Sequence, residues 1–281
     1  MLRQLIITVM GNVDSGKTQL LDTIRNTAIV ESEPGKITQS IGCSQIPVET
    51  IKKICGTLME RGRIQLKIPG FIILDTPGHA AFTSLRRRGG NLADIAILVI
   101  DINEGIKPQT EECISILKQY KTPFVIALNK IDLLPAWASN PKAGLLDSIK
   151  KQNENAMMLL EKKLYEAVGR LAELGFNSER FDRVDDYTKQ ISIIPISAKT
   201  GEGIAELLMV LAGLSQKFLE ENLKVNIEGN AKGTVLEVKE EKGLGTTADV
   251  IIYDGTLRQN DTIVIGSLGE PIVSRVKTML M

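Results

Sequence analysis

A chain of 281 residues is long enough to bury a full core and to fold as more than one domain. Its 43% hydrophobic and 24% charged content is that of a soluble globular protein. Lys+Arg and Asp+Glu balance at 34 each, which argues against a protein-wide field for nucleic acid, and 4% aromatic residues argue against a base-stacking platform.

The first apolar run, "LIITVM" (5–10), is too short for a signal peptide and reads as a buried strand. It runs into "GNVDSGKT", Gly11 to Thr18, and then into the helical stretch "KTQLLDTIRNT". This is GxxxxGK[ST] in its strand–loop–helix context. Gly11 and Gly16 let the backbone wrap, so that successive N–H groups over Asn12, Val13, Asp14 and Ser15 point at phosphate oxygens. Lys17 supplies a compact charge to the β- and γ-phosphates, and the Thr18 hydroxyl completes a Mg²⁺ shell.

The next strand, "GFIILD", leads into "DTPG" at 75–78. At this distance after a phosphate loop, Asp75 is expected to hold Mg²⁺ through a water and the Gly78 N–H to sense the γ-phosphate. His79 follows at once and is the only histidine in the chain. "DIAILVIDI" is the third strand, and its "IAILVI" core is too short to span a bilayer. The helix "PQTEECISILKQY" and the strand "PFVIALNK" come next.

That strand ends in "NKID" (129–132). A carboxylate at Asp132 accepts the ring N–H and exocyclic amine of guanine, whereas adenine would leave it unpaired. Asn129 is expected on the base edge and the Lys130 stem over the ring, so the ligand is GTP or GDP and not ATP. Residues 135–190 break the pattern with a Pro-bounded loop and a long helix, on which Met157, Leu160, Leu164 and Val168 are expected to form the packed stripe.

"ISIIPIS" is the last strand of the first part, and "SAK" follows it. The backbone N–H groups of Ser197, Ala198 and Lys199 are expected to reach the guanine carbonyl. Strands alternating with helices, of which "AELLMVLAGLSQKFLEEN" is the last, imply an α/β fold with a mostly parallel sheet and flanking helices over 1–224. Over 225–281, "GTVLEVKE", "TADVIIYDG" and "DTIVIG" are separated by turns with no helix between them, the pattern of an incomplete antiparallel β-barrel. Cys43, Cys55 and Cys113 stand apart, so neither zinc nor disulfides are expected, and a cytoplasmic location is the simpler reading.

The sequence resembles the translational GTPases, and within them the initiation factor 2/5B family, nearest its archaeal and eukaryotic branch. "GKITQSIG" (35–42), "DTPGHAAFTSLRRRGGNLADIAILVIDINEGIKPQT" (75–110), "ERFDRV" (179–184), "IPISAKTGEGI" (194–204) and "GTVLEVKEEKGLGTTADVIIYDG" (233–255) carry the resemblance. It implies that His79 positions the attacking water and that Thr38 contacts Mg²⁺ and that water. It also implies that Val13 and Ile37 gate the histidine, and that Asp14 helps bind a monovalent cation, K⁺ or Na⁺. Lys36 replaces a usual glycine near that cation, Asn12 and Ser15 stand where histidines are usual, and Ala80 where a glutamate is usual.

For partners, the resemblance implies the ribosome: the large-subunit factor site through the G domain and the small subunit through the barrel. Initiator tRNA would bind only through domains beyond this chain, which is expected to end inside the first barrel. A monomer without membrane contact is expected. Arg86, Arg87 and Arg88 read equally as an RNA-phosphate contact or as a solvated helix face. Two other readings stay open: a GTP/GDP-binding module with negligible hydrolysis, and a translational GTPase of the elongation type.

Overall fold

The computed structural model describes residues 1–31, 39–40, 43–62, 66–74, 93–218, 220–241, 243, 245–267 and 269–280. Eight strands form one sheet: β1 (Leu5–Gly11), β2 (Gln39–Ser40), β3 (Cys43–Pro47), β4 (Gly70–Leu74), β5 (Ile95–Asp101), β6 (Phe124–Asn129), β7 (Ser178–Arg180) and β8 (Ile191–Pro195). Their order is β2-β3-β4-β1-β5-β6-β8-β7. From β4 to β7 every pair is parallel, and only the β2-β3-β4 edge is antiparallel. The expected mostly parallel sheet is therefore present.

The central strands are β-branched and apolar throughout because both of their faces are covered. All seven residues of β1 and of β5, and all six of β6, are buried. Among the described residues six helices accompany the sheet: α1 (Lys17–Glu31), α2 (Val48–Gly62), α3 (Pro108–Gln119), α4 (Leu145–Lys150), α5 (Glu154–Glu173) and α6 (Ile204–Phe218). α2 packs against α1 and α6, and α3 against β1 and β5. No helix among the described residues is long and apolar enough to cross a membrane.

Chain order runs from β1 out to β4 on one side, then back across to β5 on the other. The crevice for a ligand in such a sheet lies at this reversal, outside the carboxyl ends of the strands. The opposite end of β1 is bolted. Arg3 donates twice to Asp94, at 2.6 and 2.7 Å, and the Ile6 N–H donates to the same carboxylate at 2.8 Å.

The stripe on α5 is rotated from the expected one. Its buried residues are Ala156, Leu160, Leu164, Ala167 and Leu171, while Met157 is 36% exposed and Val168 only half-buried. A period of 3.6 through Leu160 and Leu164 selects Ala156 and Ala167, whose small side chains the sequence does not advertise as core. β7 and α2 were also not expected. Burial pushes the Cys55 and Cys113 thiols up to about 12, so neither is a reactive thiolate.

After Leu223 the strands are antiparallel, as expected, and form two hairpins. β9 (Lys232–Glu241) pairs with β10 (Gly245–Asp254), and β11 (Thr262–Ile265) with β12 (Ile272–Arg275). Ile251 on β10 packs with Ile6 and Leu74 of the main sheet, flanked by Leu236, Tyr253 and Cys43. Met1 to Arg3 also bridge to the 223–225 segment through Arg3 N–H to Leu223 O, at 2.9 Å, and Val225 N–H to Met1 O, at 3.0 Å.

An ion cluster fastens α5 to the sheet edge at β7. Arg180, 8% exposed in its side chain, donates to Glu161 at 2.7 Å and to both oxygens of Asp182 at 2.6 and 3.0 Å. Hydrogen bonding from Arg183, with Arg180 beside it, holds the Glu161 carboxyl below its usual 4.5. Burial, the largest single influence, pushes Asp182 up, but the Arg180 hydrogen bonds and the charges of Arg180 and Arg183 together outweigh it and hold the group below its usual 3.8. Both carboxylates therefore stabilise the fold above their ordinary values, and this contribution is lost as pH falls through the depressed ones. Arg180→Met should cost about 2 kcal/mol at neutral pH. In thermal melts the gap to the parent chain should narrow between pH 5 and pH 3; a gap independent of pH would show that the pairing does not stabilise this edge.

Candidate functional site

The carboxyl ends of β1, β6 and β8 each release a loop at the crevice, and these loops hold the described members of the expected site. The first is Gly11–Thr18. Gly11 has φ 148°, and a Cβ there would lie 2.3 Å from the Val99 carbonyl of the neighbouring strand. Gly16 has φ 93°, and Asp14 takes the left-handed region at φ 63°. Only a chain with glycine at both positions can turn this tightly between β1 and α1.

Lys17 bends back over the loop, donating to Gly11 O at 3.0 Å and to Asn12 O at 2.6 Å. Its charge is thus held at the loop mouth, where phosphate oxygens would meet it. Thr18 is exposed in the first turn of α1, whose leading N–H groups have no partner within the helix itself. Val13 is 62% exposed, and its N–H donates to Gln109 Oε1 at 3.3 Å.

The second loop is 129–132. Asn129 is 1% exposed. Its amide donates to Ser15 O at 2.8 Å, and its carbonyl accepts from the Ala198 N–H at 2.9 Å. A Cβ on Gly16 would sit 2.3 Å from Asn129 Nδ2, so glycine at 16 is what lets the amide approach the phosphate loop. Lys130 takes the left-handed region at φ 70°, and its Nζ pairs with Asp101 Oδ2 at 2.7 Å. Asp132 is half-buried and accepts from Ser197 Oγ at 2.6 Å.

The third loop carries Ser197, Ala198 and Lys199. The Thr23 hydroxyl of α1 donates to Ala198 O, the Ser197 N–H donates to Glu202 O at 2.9 Å, and Lys199 is exposed. The Ser197 and Ala198 N–H groups thus donate within the protein, and Asn129 braces two neighbouring loops, because a buried amide has to satisfy its polar atoms.

The structure therefore brings together Gly11, Asn12, Val13, Asp14, Ser15, Gly16, Lys17, Thr18, Asn129, Lys130, Asp132, Ser197, Ala198 and Lys199. Thr38, Asp75, Gly78 and His79 lie outside the described residues, as do Lys36, Ile37, Ala80 and Arg86 to Arg88. Sequence reasoning missed Asp101, Gln109 and Thr23, which hold Lys130, Val13 and Ala198. Asp101 had a visible signal, a carboxylate ending a fully apolar strand. The other two had none.

The sequence family described as the elongation factor Tu GTP binding domain matches residues 2–217. A probable translation initiation factor IF-2 of Methanopyrus kandleri is 57% identical over 279 residues, 99% of this chain and 47% of that protein. One from Thermococcus sibiricus is 55% identical over 279 residues, again 99% and 47%. The crystal structure of GDP-bound aIF5B from Aeropyrum pernix has a TM-score of 0.92 to this fold at 51% identity, covering 98% of this chain and 46% of that one. The chain spans about half the length of the curated relatives it matches. With the family match spanning the whole parallel sheet and the three loops at its carboxyl edge, this chain belongs to the family of elongation factor Tu GTP-binding domains.

Proposed function

We propose that this chain is the GTP-binding and GTP-hydrolysing part of a translation initiation factor that promotes ribosomal subunit joining. Residues 1–224 form the nucleotide-binding unit and 225–281 open a barrel domain. The observation that carries the reading is the brace at Asn129, which joins the phosphate loop, the 129–132 loop and the 197–199 loop into one body. The initiation-factor names of the relatives, and the GDP-bound state of the Aeropyrum pernix protein, support it. The protein works on the ribosome in the cytoplasm.

In this reading the phosphates lie on the backbone of Gly11–Thr18 with Lys17 beside them. The guanine lies between the Lys130 stem and the 197–199 loop, its two donors on Asp132. The donor set suits Mg²⁺, a hard cation that takes oxygen ligands: Thr18 would bind it, with Thr38, and Asp75 through a water. That ion would neutralise phosphate charge. The Gly78 N–H meets the γ-phosphate, and His79 orients the attacking water, a role felt in the transition state rather than in ground-state binding.

Two substitutions test this. Asp132→Asn should weaken GDP by about a hundredfold or more and gain xanthosine diphosphate, whose ring carbonyl prefers an amide donor. Unchanged GDP affinity in a competition titration would remove Asp132 from the base site. His79→Ala should leave GTP and GDP affinity within about threefold, while ribosome-stimulated phosphate release falls by about a hundredfold or more. Release at the parental rate would leave the histidine without a role in hydrolysis.

A further inference from the structure

Glu202 is 1% exposed and sits just beyond the 197–199 loop. Its backbone carbonyl accepts the Ser197 N–H at 2.9 Å, and the Ser197 hydroxyl in turn donates to Asp132 at 2.6 Å. Its carboxylate reaches the other way. It accepts from the Trp137 indole N–H at 3.2 Å and from the buried Ser148 hydroxyl. Trp137 and Ser148 belong to the excursion that leaves the sheet directly after Asp132. One residue thus touches both stretches that flank the base carboxylate.

The excursion is held at further points, one on the helix that follows Glu202 and one within itself. The Leu145 N–H donates to Glu206 Oε1 at 2.6 Å, one helical turn beyond Glu202. Gln152 clasps Ala138, accepting its N–H and donating to its carbonyl, both at 2.8 Å. A buried carboxylate held only by neutral donors is costly compared with an apolar side chain of the same size. What it supplies in return is a single hydrogen-bonded geometry. The carboxylate thereby adds to the Ile131 N–H bond to Ile196 O, at 3.2 Å, in holding the 131–152 segment against 197–199 and Asp132 near the serine that orients it.

We propose that Glu202 is a positioning residue for base selectivity: it fixes the Asp132 carboxylate, through Ser197, Trp137 and Ser148, where the exocyclic amine of a guanine nucleotide meets it. This rests on the reading of 129–132 and 197–199 as a guanine site. Selectivity for the amine is then a property of the clamp as well as of Asp132. Affinity for the phosphates, held by Gly11–Thr18, is independent of it.

The test is a titration of the 281-residue chain with guanosine and inosine diphosphates, which differ only in that amine. Glu202→Gln keeps volume but offers one acceptor where two donors converge. Guanosine diphosphate, which gives Asp132 two donors, should weaken by about tenfold and inosine diphosphate, which gives it only the ring N–H, by about threefold, so that their affinity ratio falls about threefold or more. Ser148→Ala removes one donor without introducing a new one, and should narrow the ratio in the same direction by about twofold. It carries the test alone if Glu202→Gln does not fold. An unchanged ratio, whether both affinities hold or drop together, overturns the proposal and leaves Glu202 a structural anchor. A parent chain that prefers neither guanosine nor inosine diphosphate over adenosine diphosphate would instead overturn the guanine site itself.

Discussion

Asn129 is 1% exposed, and a side-chain amide taken out of water must find its hydrogen bonds inside the protein. It finds them in two other loops, at Ser15 O and at the Ala198 N–H. The approach is possible only because Gly16 carries no Cβ. These bonds tie the 11–18, 129–132 and 197–199 loops to one another. The Thr23 bond to Ala198 O adds a second strut from α1.

The sheet explains why three loops so distant in sequence meet at all. β1, β6 and β8 are parallel, so their carboxyl ends share an edge, and β5 between β1 and β6 contributes Asp101 to the same edge. The burial of every residue of β1, β5 and β6 keeps that edge rigid. At the far end, Asp94 ties Arg3 and the Ile6 N–H together and fixes the start of β1 against β5. Stability is concentrated in the strands, and the loops at their carboxyl ends carry the candidate site. This division lets glycine and left-handed residues such as Asp14 and Lys130 be tolerated where they are needed.

Much of this was legible in the sequence, and the reason is local. A phosphate loop is a contiguous string of residues whose glycines and lysine have fixed jobs, and buried parallel strands are runs of apolar residues. The antiparallel edge of β2 and β3 was not legible, because Gln39–Ser40 and Cys43–Pro47 carry no strand-like run. Nor was the register of the α5 stripe, where Ala156 and Ala167 are core but small. Partners far apart in sequence were hidden for a further reason. Nothing in "NKID" says that Asn129 will spend its amide on Ser15, or that Lys130 will find Asp101 at 2.7 Å. Glu202 reads as a polar residue in a Gly-rich turn until Trp137 and Ser148 are seen on its carboxylate.

In the proposed function the braced loops form a site for a guanine nucleotide, with Asp132 as the group that reads the base. It is tested most directly by calorimetric titration of the purified chain with GDP and, separately, with ADP in the presence of magnesium. A site whose carboxylate needs two ring donors should bind GDP tighter than ADP by about a thousandfold or more. Equal affinities, or a preference for ADP, would contradict it.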